Sequence, residues 1–176
     1  MLTVLLGGAR SGKSTAALRL AATAGGAVAF IATSPRIDGD DDLDARIAAH
    51  RAERPDDWTT IETEIDLGEA IDSVAGESTL VIDCLTVWLG NLTHHGHDDS
   101  IDRYSADALD AIARRHGDTI AVTNEVGLGI VPADAMSRRY RDQLGRINQR
   151  WVAASDRTVL LVAGRALDLS DLDDFR

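Results

Sequence analysis

Gly7-Gly8-Ala9-Arg10-Ser11-Gly12-Lys13-Ser14 combines the residue types needed to hold a polyphosphate. The glycines let backbone N–H groups curl around phosphate oxygens, Lys13 reaches the β- and γ-phosphates, and the Ser14 hydroxyl suits Mg²⁺. Such a Walker A pattern carries weight when a strand precedes it and a helix follows. Here the apolar run Leu2-Thr3-Val4-Leu5-Leu6 comes before, and the helix-prone Thr15-Ala16-Ala17-Leu18-Arg19-Leu20 comes after, so the phosphates would meet a helix N-terminus. Lys13 is the one lysine of the chain. A compact ammonium at this position fits phosphate binding, while arginine elsewhere also agrees with a GC-rich genome.

Asp83 ends the run Leu80-Val81-Ile82, where a carboxylate can hold Mg²⁺ or its water shell. It would also serve as an ordinary cap for a helix starting near Leu85. His50 lies on an expected helix, residues 42–54, that puts Leu43, Ile47, His50 and Arg54 on one face with Arg46 a turn earlier. Nearby guanidinium groups would keep an imidazole nitrogen neutral and nucleophilic. Most helical histidines of this kind are packing or surface residues, and the local pattern by itself favours that role. Arg51, Arg54, Trp58 and Glu62 follow around Pro55, which should end the helix and leave an extended segment. They suit phosphate and base equally with a surface turn that half-buries an indole.

The elements that must position these groups are visible as short apolar runs at residues 3–6, 27–31, 80–82, 119–122 and 158–162, with helical patterns between most of them. This alternation predicts a mainly parallel α/β sheet with helices on both faces. Ligands of such sheets bind beyond the carboxyl ends of the strands, which selects the P-loop, Ala32-Thr33-Ser34, Asp83, Asn124-Glu125 and Gly164-Arg165. Residues 35–65 form an insert whose acidic stretch Asp38-Gly39-Asp40-Asp41-Asp42 predicts a turn and helix cap. His94, His95 and His97 fall in a polar loop without ordered metal-ligand spacing, ahead of a helix over residues 101–116. A ligand loop is expected at residues 124–132. The following helix, residues 133–155, carries Tyr140, Leu144, Ile147 and Trp151 on a core stripe and Arg138, Arg139, Arg141, Arg146 and Arg150 elsewhere.

A length of 176 residues fits one domain, residues 1–176, with 44% hydrophobic residues to fill its core. The net charge of -11 argues against nucleic acid and anionic membranes as partners and favours small-molecule chemistry. Cys84 has no intrachain disulfide partner, the P-loop begins early, and no run is long enough to span a membrane, so the expected location is cytoplasmic.

Six ordered blocks resemble the bifunctional adenosylcobinamide kinase/adenosylcobinamide-phosphate guanylyltransferases of cobalamin biosynthesis. They are the P-loop; Ile31-Ala32-Thr33-Ser34; Ala45-Arg46-Ile47 leading to His50, Arg54-Pro55 and Trp58; Asp83-Cys84-Leu85-Thr86 with Trp88-Leu89 and Asn91; Thr123-Asn124-Glu125-Val126-Gly127 with Gly129-Ile130-Val131-Pro132; and Arg138-Arg139-Tyr140-Arg141-Asp142 with Gly145-Arg146 and Asn148-Gln149-Arg150. The resemblance implies a RecA-like P-loop NTPase fold, a homotrimer, a corrinoid substrate, and ATP or GTP as phosphoryl donor. GTP would then donate GMP through a guanylylated histidine, giving adenosylcobinamide-GDP. The position matching that histidine is His50, with Lys13 as the other catalytic group. Gly7 to Ser14, Ala32, Thr33, Ser34, Arg51, Ala52, Glu53, Arg54, Glu62 and Asp83 match nucleotide-contacting positions, with Ser14 and Asp83 toward Mg²⁺. One site would serve two attack points if the His50 helix approaches and withdraws.

Two features depart from that pattern. Residues 166–176 read as an acidic tail where a last strand is expected, and the Asn-Lys-x-Asp guanine motif of regulatory GTPases is absent. The alternatives are a single-activity P-loop kinase for another small alcohol and a non-catalytic GTP-binding module.

Overall fold

The computed structural model describes residues 1–35 and 41–171, with the side chains of residues 41–44 and 46 excepted. Residues 38–40 of the acidic stretch, the side chains of Leu43 and Arg46, and residues 172–176 of the tail therefore lie outside the described residues. In chain order the elements are β1 (Leu2–Gly7), α1 (Lys13–Ala24), β2 (Val28–Ala32), α2 (Asp41–Ala52), β3 (Thr59–Glu62), α3 (Leu67–Asp72), β4 (Thr79–Asp83), α4 (Leu85–His94), α5 (Ile101–Ala113), β5 (Thr119–Val122), α6 (Ala135–Ala153), β6 (Arg157–Val162) and β7 (Arg165–Leu169). A 3₁₀ turn, Asp98–Ser100, precedes α5.

The strands form a seven-stranded sheet in the order β3-β2-β4-β5-β1-β6-β7. All neighbours are parallel except β6 and β7. The central strands are continuous apolar runs because both their faces are covered. Leu2, Val4 and Leu6 of β1 pack with Ile31, Leu80 and Ile82 against Leu67, Ile71, Leu85, Trp88, Leu92, Ile112, Leu144 and Trp151 of α3 to α6. Leu5, Phe30, Val81, Ile120, Val122 and Val159 point the other way, onto Ala17 and Ala21 of α1. Small residues on α1 let it lie close to the strands that end at the site.

The core stripe of α6 falls where its spacing predicts, with Leu144, Ile147 and Trp151 buried and Tyr140 packed beside them. The helix is shorter at both ends than residues 133–155. Its start is set by Asp134, whose Oδ1 accepts from the Ser137 N–H at 2.7 Å. Arg138 donates to the Pro132 and Ala133 carbonyls, and Arg150 pairs with Asp102, so part of the expected basic face is spent on this chain's own groups.

The tail differs from its sequence reading. Residues 165–169 form β7, hydrogen-bonded antiparallel to β6 through the turn at Ala163-Gly164. Arg157 and Asp168 join the two strands by a two-point ion pair at 2.6 and 3.0 Å. An edge strand needs backbone pairing and one cross-strand contact more than it needs an apolar face. No helix among the described residues is long and apolar enough to cross a membrane.

Candidate nucleotide site

The P-loop leaves β1 at Gly7, where a Cβ would stand 2.4 Å from the Leu161 carbonyl oxygen and 2.6 Å from Ser11 Oγ. Only glycine lets the loop pass this close to β6. Gly12 then caps α1 in the left-handed region, φ 98°, without a side-chain cap, so the amides of the first turn keep their donors. The Gly164 N–H donates to the Ser11 carbonyl at 2.9 Å, bracing the loop against the β6–β7 turn. Lys13, the first residue of α1, is buried, and its Nζ donates to the Gly8 carbonyl at 2.8 Å and lies 3.4 Å from Ser11 Oγ. Burial lowers its pKa, an effect opposed by the Cys84 and Asp83 charges.

Across the sheet, Asp83 ends β4 in lateral register with Ala32 of β2 and Val122 of β5. Burial pushes its carboxyl up, while a hydrogen bond from Ser14 and the charges of His50, Lys13 and Arg54 act in the opposite direction. Ser14 and Asp83 therefore stand together, a hydroxyl and a carboxylate such as Mg²⁺ takes when a nucleotide supplies its other oxygens. Among the described residues no cluster of three or more His, Cys, Asp or Glu could hold a metal without such help.

These groups open on one cavity of about 620 Å³. Of His50 and the positions matched to nucleotide contacts, Ala9, Arg10, Ser11, Gly12, Lys13, Ser14, Ala32, Ser34, His50, Arg51, Glu53, Arg54, Glu62 and Asp83 line it. Gly7, Gly8, Thr33 and Ala52 do not. Thr33 is fully buried behind the wall, where its Oγ1 donates to the Cys84 carbonyl and accepts from the Cys84 N–H, at 2.8 and 2.9 Å. Asn91 holds the other side of that tie, donating from Nδ2 to the carbonyls of Thr33 at 2.7 Å and Glu64 at 3.2 Å. Thr33 thus locks the end of β2 to the residue after Asp83. Phe30, Thr60, Val87 and Val122 also line the cavity. Phe30, Thr60 and Val122 belong to strands and Val87 to the first turn of α4, and their apolar or β-branched types read as ordinary packing.

His50 stands on α2 at the cavity wall with its side chain 57% exposed, open to solvent as a nucleophile must be to a large second substrate. Among the described residues its ionic neighbour is Glu53, and the side chain of Arg46, one of the two expected cations, lies outside them. Nδ1 lies 3.9 Å from Glu53 Oε2. Arg54 follows α2, which ends at Ala52 before Pro55; its Nε reaches back to the His50 carbonyl at 3.2 Å, its Nη1 donates to Thr60 Oγ1, and its guanidinium lies 3.9 Å from the Phe30 ring centroid. Arg54 thereby fastens the last turn of α2 to β2 and β3. The loop histidines have their own contacts: His95 meets Glu64 at 3.3 Å, and His97 lies edge-on to Tyr104.

Solved structures similar to this fold include the RadB recombinase, with a TM-score of 0.51 and 17% identity over 90% of this chain and 73% of that one. A type III secretion ATPase matches at a TM-score of 0.52 and 13% identity, over 92% of this chain and 51% of that one. These likenesses establish a P-loop NTPase fold. By sequence, the chain is 41% identical to the bifunctional adenosylcobalamin biosynthesis protein CobP of Pseudomonas aeruginosa, over 96% of this chain and 97% of that protein. It is 35% identical to the bifunctional adenosylcobalamin biosynthesis protein CobU of Escherichia coli, over 93% of this chain and 97% of that protein. With residues 3–169 also matching the family model, the chain belongs to the cobinamide kinase / cobinamide phosphate guanyltransferase family.

Proposed function

We propose that the protein phosphorylates adenosylcobinamide with ATP or GTP and then transfers GMP from GTP to the product through a guanylyl-histidine at His50, giving adenosylcobinamide-GDP. The observation that carries this reading is the shared cavity: a P-loop with Lys13, the Ser14–Asp83 pair and the His50 imidazole all open on it, so one bound triphosphate is within the same chamber as both kinds of chemistry.

In the first step the hydroxyl of the acceptor attacks the γ-phosphorus, the β–γ bridging bond breaks, and the nucleoside diphosphate leaves. Lys13 and the free amides of the P-loop and first turn of α1 stabilise the charge that gathers on the phosphoryl oxygens. Mg²⁺ held by Ser14 and Asp83 would supply further charge neutralisation. In the second step a neutral ring nitrogen of His50 attacks the α-phosphorus of GTP and pyrophosphate leaves. An oxygen of the acceptor phosphate then displaces the histidine and takes the GMP. Exposure of His50 suits a bulky acceptor. Anchoring of α2 by Arg54 suits a nucleophile that keeps its place at the cavity wall.

The test uses GTP labelled on the α-phosphate. Wild type incubated with Mg²⁺ and this nucleotide, then denatured, is expected to retain acid-labile, alkali-stable label, and His50→Ala to retain none. Absence of label on wild type that demonstrably binds GTP would sink the covalent step and leave a plain kinase.

A further inference from the structure

Among the polar side chains of the nucleotide cavity that the mechanism above leaves unused is that of Asn124. Asn124 lines the cavity two residues beyond the end of β5. Its carboxamide makes no hydrogen bond with the described residues, whereas its backbone is held at both ends. The Asn124 N–H donates to Thr86 Oγ1 at 2.8 Å, and its carbonyl accepts from Asn148 Nδ2 at 3.0 Å. Asn148 is itself buried and takes a 2.7 Å hydrogen bond from Thr123 Oγ1. Thr86 is held in turn by Tyr140, whose hydroxyl donates to the Thr86 carbonyl at 2.7 Å. Thr86 and Asn148, themselves held by Tyr140 and Thr123, thus fix the backbone of a residue whose own side chain is left free to meet a ligand.

Strand order says which part of a ligand that is. β5 lies between β4, which ends at Asp83, and β1, which runs into the P-loop. Val122 is the lateral partner of both Asp83 and Leu5. The pairing with β1 continues past the formal end of the strand, because the Thr123 N–H donates to the Leu5 carbonyl and the Glu125 N–H to the Gly7 carbonyl. Residues 122–125 are therefore extended, and alternation returns Asn124 to the face of Val122, the α1 face on which the cavity opens. A triphosphate with its β-phosphate in the P-loop extends its γ-phosphate toward the carboxylate side, across the end of β5.

We propose that Asn124 contacts the terminal phosphate of the bound triphosphate, its Nδ2 donating to a γ-phosphate oxygen between Lys13 and Asp83, so that the site distinguishes a triphosphate from a diphosphate. This rests on the function proposed above only in that a nucleoside triphosphate occupies the P-loop cavity. A donor fixed by its backbone before the nucleotide arrives costs little reorganisation when charge moves onto the γ-phosphoryl oxygens.

The experiment measures the affinity, with Mg²⁺, of a β,γ-imido analogue of GTP and of GDP for wild type, Asn124→Ala and the isosteric Asn124→Asp. Thermal unfolding of each protein is followed in parallel. The expected result is a loss of analogue affinity of about tenfold in Asn124→Ala and a larger loss in Asn124→Asp, where two carboxylates face the phosphate. GDP affinity should stay within twofold. Equal losses for both nucleotides would assign Asn124 a structural role, and unchanged analogue affinity in both variants would remove it from the site; either overturns the inference. Asn124→Asp keeps the size of the side chain and both backbone ties, so it decides the matter even if the alanine variant unfolds. Failure of wild type to bind either nucleotide would instead bring down the proposed function itself.

Discussion

Cys84 is the one thiol of the chain, and it lines the nucleotide cavity next to Asp83. Burial, reinforced by the Asp83 charge, pushes its pKa up to about 11. The thiolate is the reactive form, so raising the pH increases reactivity until that value is passed. At pH 8 the thiolate fraction is on the order of a hundredfold below that of a free cysteine. Iodoacetamide should accordingly modify Cys84 at least that much more slowly than glutathione, with the rate rising about tenfold per pH unit up to the pH at which the protein unfolds. A rate that levels off by pH 9 would contradict the environment described for it. In the same crowded place the hydroxyl of Thr33, at a position matched to a nucleotide contact, is engaged with the backbone of Cys84. Sequence shows that Thr33 follows β2 and lies near the site; it does not show that the hydroxyl is consumed by the backbone of Cys84.

The connections that hold strand ends in place carry the site as much as the groups facing it. Asn91, on α4, is buried and ties the carbonyl after β2 to the carbonyl of Glu64 after β3. Asn91→Ala removes both donors and leaves two carbonyl oxygens without them. The expected cost is about 2 kcal/mol. It should appear as a lowered urea midpoint with an unchanged slope, together with weaker nucleotide binding. A midpoint equal to wild type would show that the tie between the β2 and β3 ends contributes nothing. At this scale the fold was readable where burial is two-sided. β1, β2, β4, β5 and β6 are apolar runs that no helix period explains. β3 reads Thr-Thr-Ile-Glu with only partial burial, α3 is six residues long, and β7 is exposed at all five positions. Segments that bury so little leave little periodicity, and what forms them is the backbone of a neighbouring strand.

At the scale of the molecule, exposed large apolar side chains of the described residues group at two places. Leu128 is 87%, Ile130 98% and Met136 75% exposed around the loop between β5 and α6, and Val162, Leu167 and Leu169 are exposed on β6 and β7. Isolated apolar residues on a surface need no explanation, but several on one loop next to a nucleotide site suggest cover by another chain. The homotrimer implied by the family resemblance is proposed on this ground. Sedimentation of wild type should give three times the mass of the chain, and Leu128→Ser/Ile130→Ser should shift it toward the monomer while leaving the chain folded by circular dichroism. A monomeric wild type would reject the assembly. The double variant remaining trimeric would move the contact to another surface.

The seclusion of Lys13 has a practical meaning for anyone handling the protein. Apart from the amino terminus at Met1, its Nζ is the sole aliphatic amine of the chain, and it lies at the base of the nucleotide cavity beneath the P-loop. Acylating dyes, carbodiimide coupling to a sensor surface and lysine-directed crosslinkers therefore have two destinations: one harmless end and one that erases phosphate binding. Enzymatic tagging systems that attach to lysine face the same choice, since on the folded chain their only side-chain acceptor is sheltered. Modification at a second amine becomes a direct count of the molecules whose phosphate site is blocked.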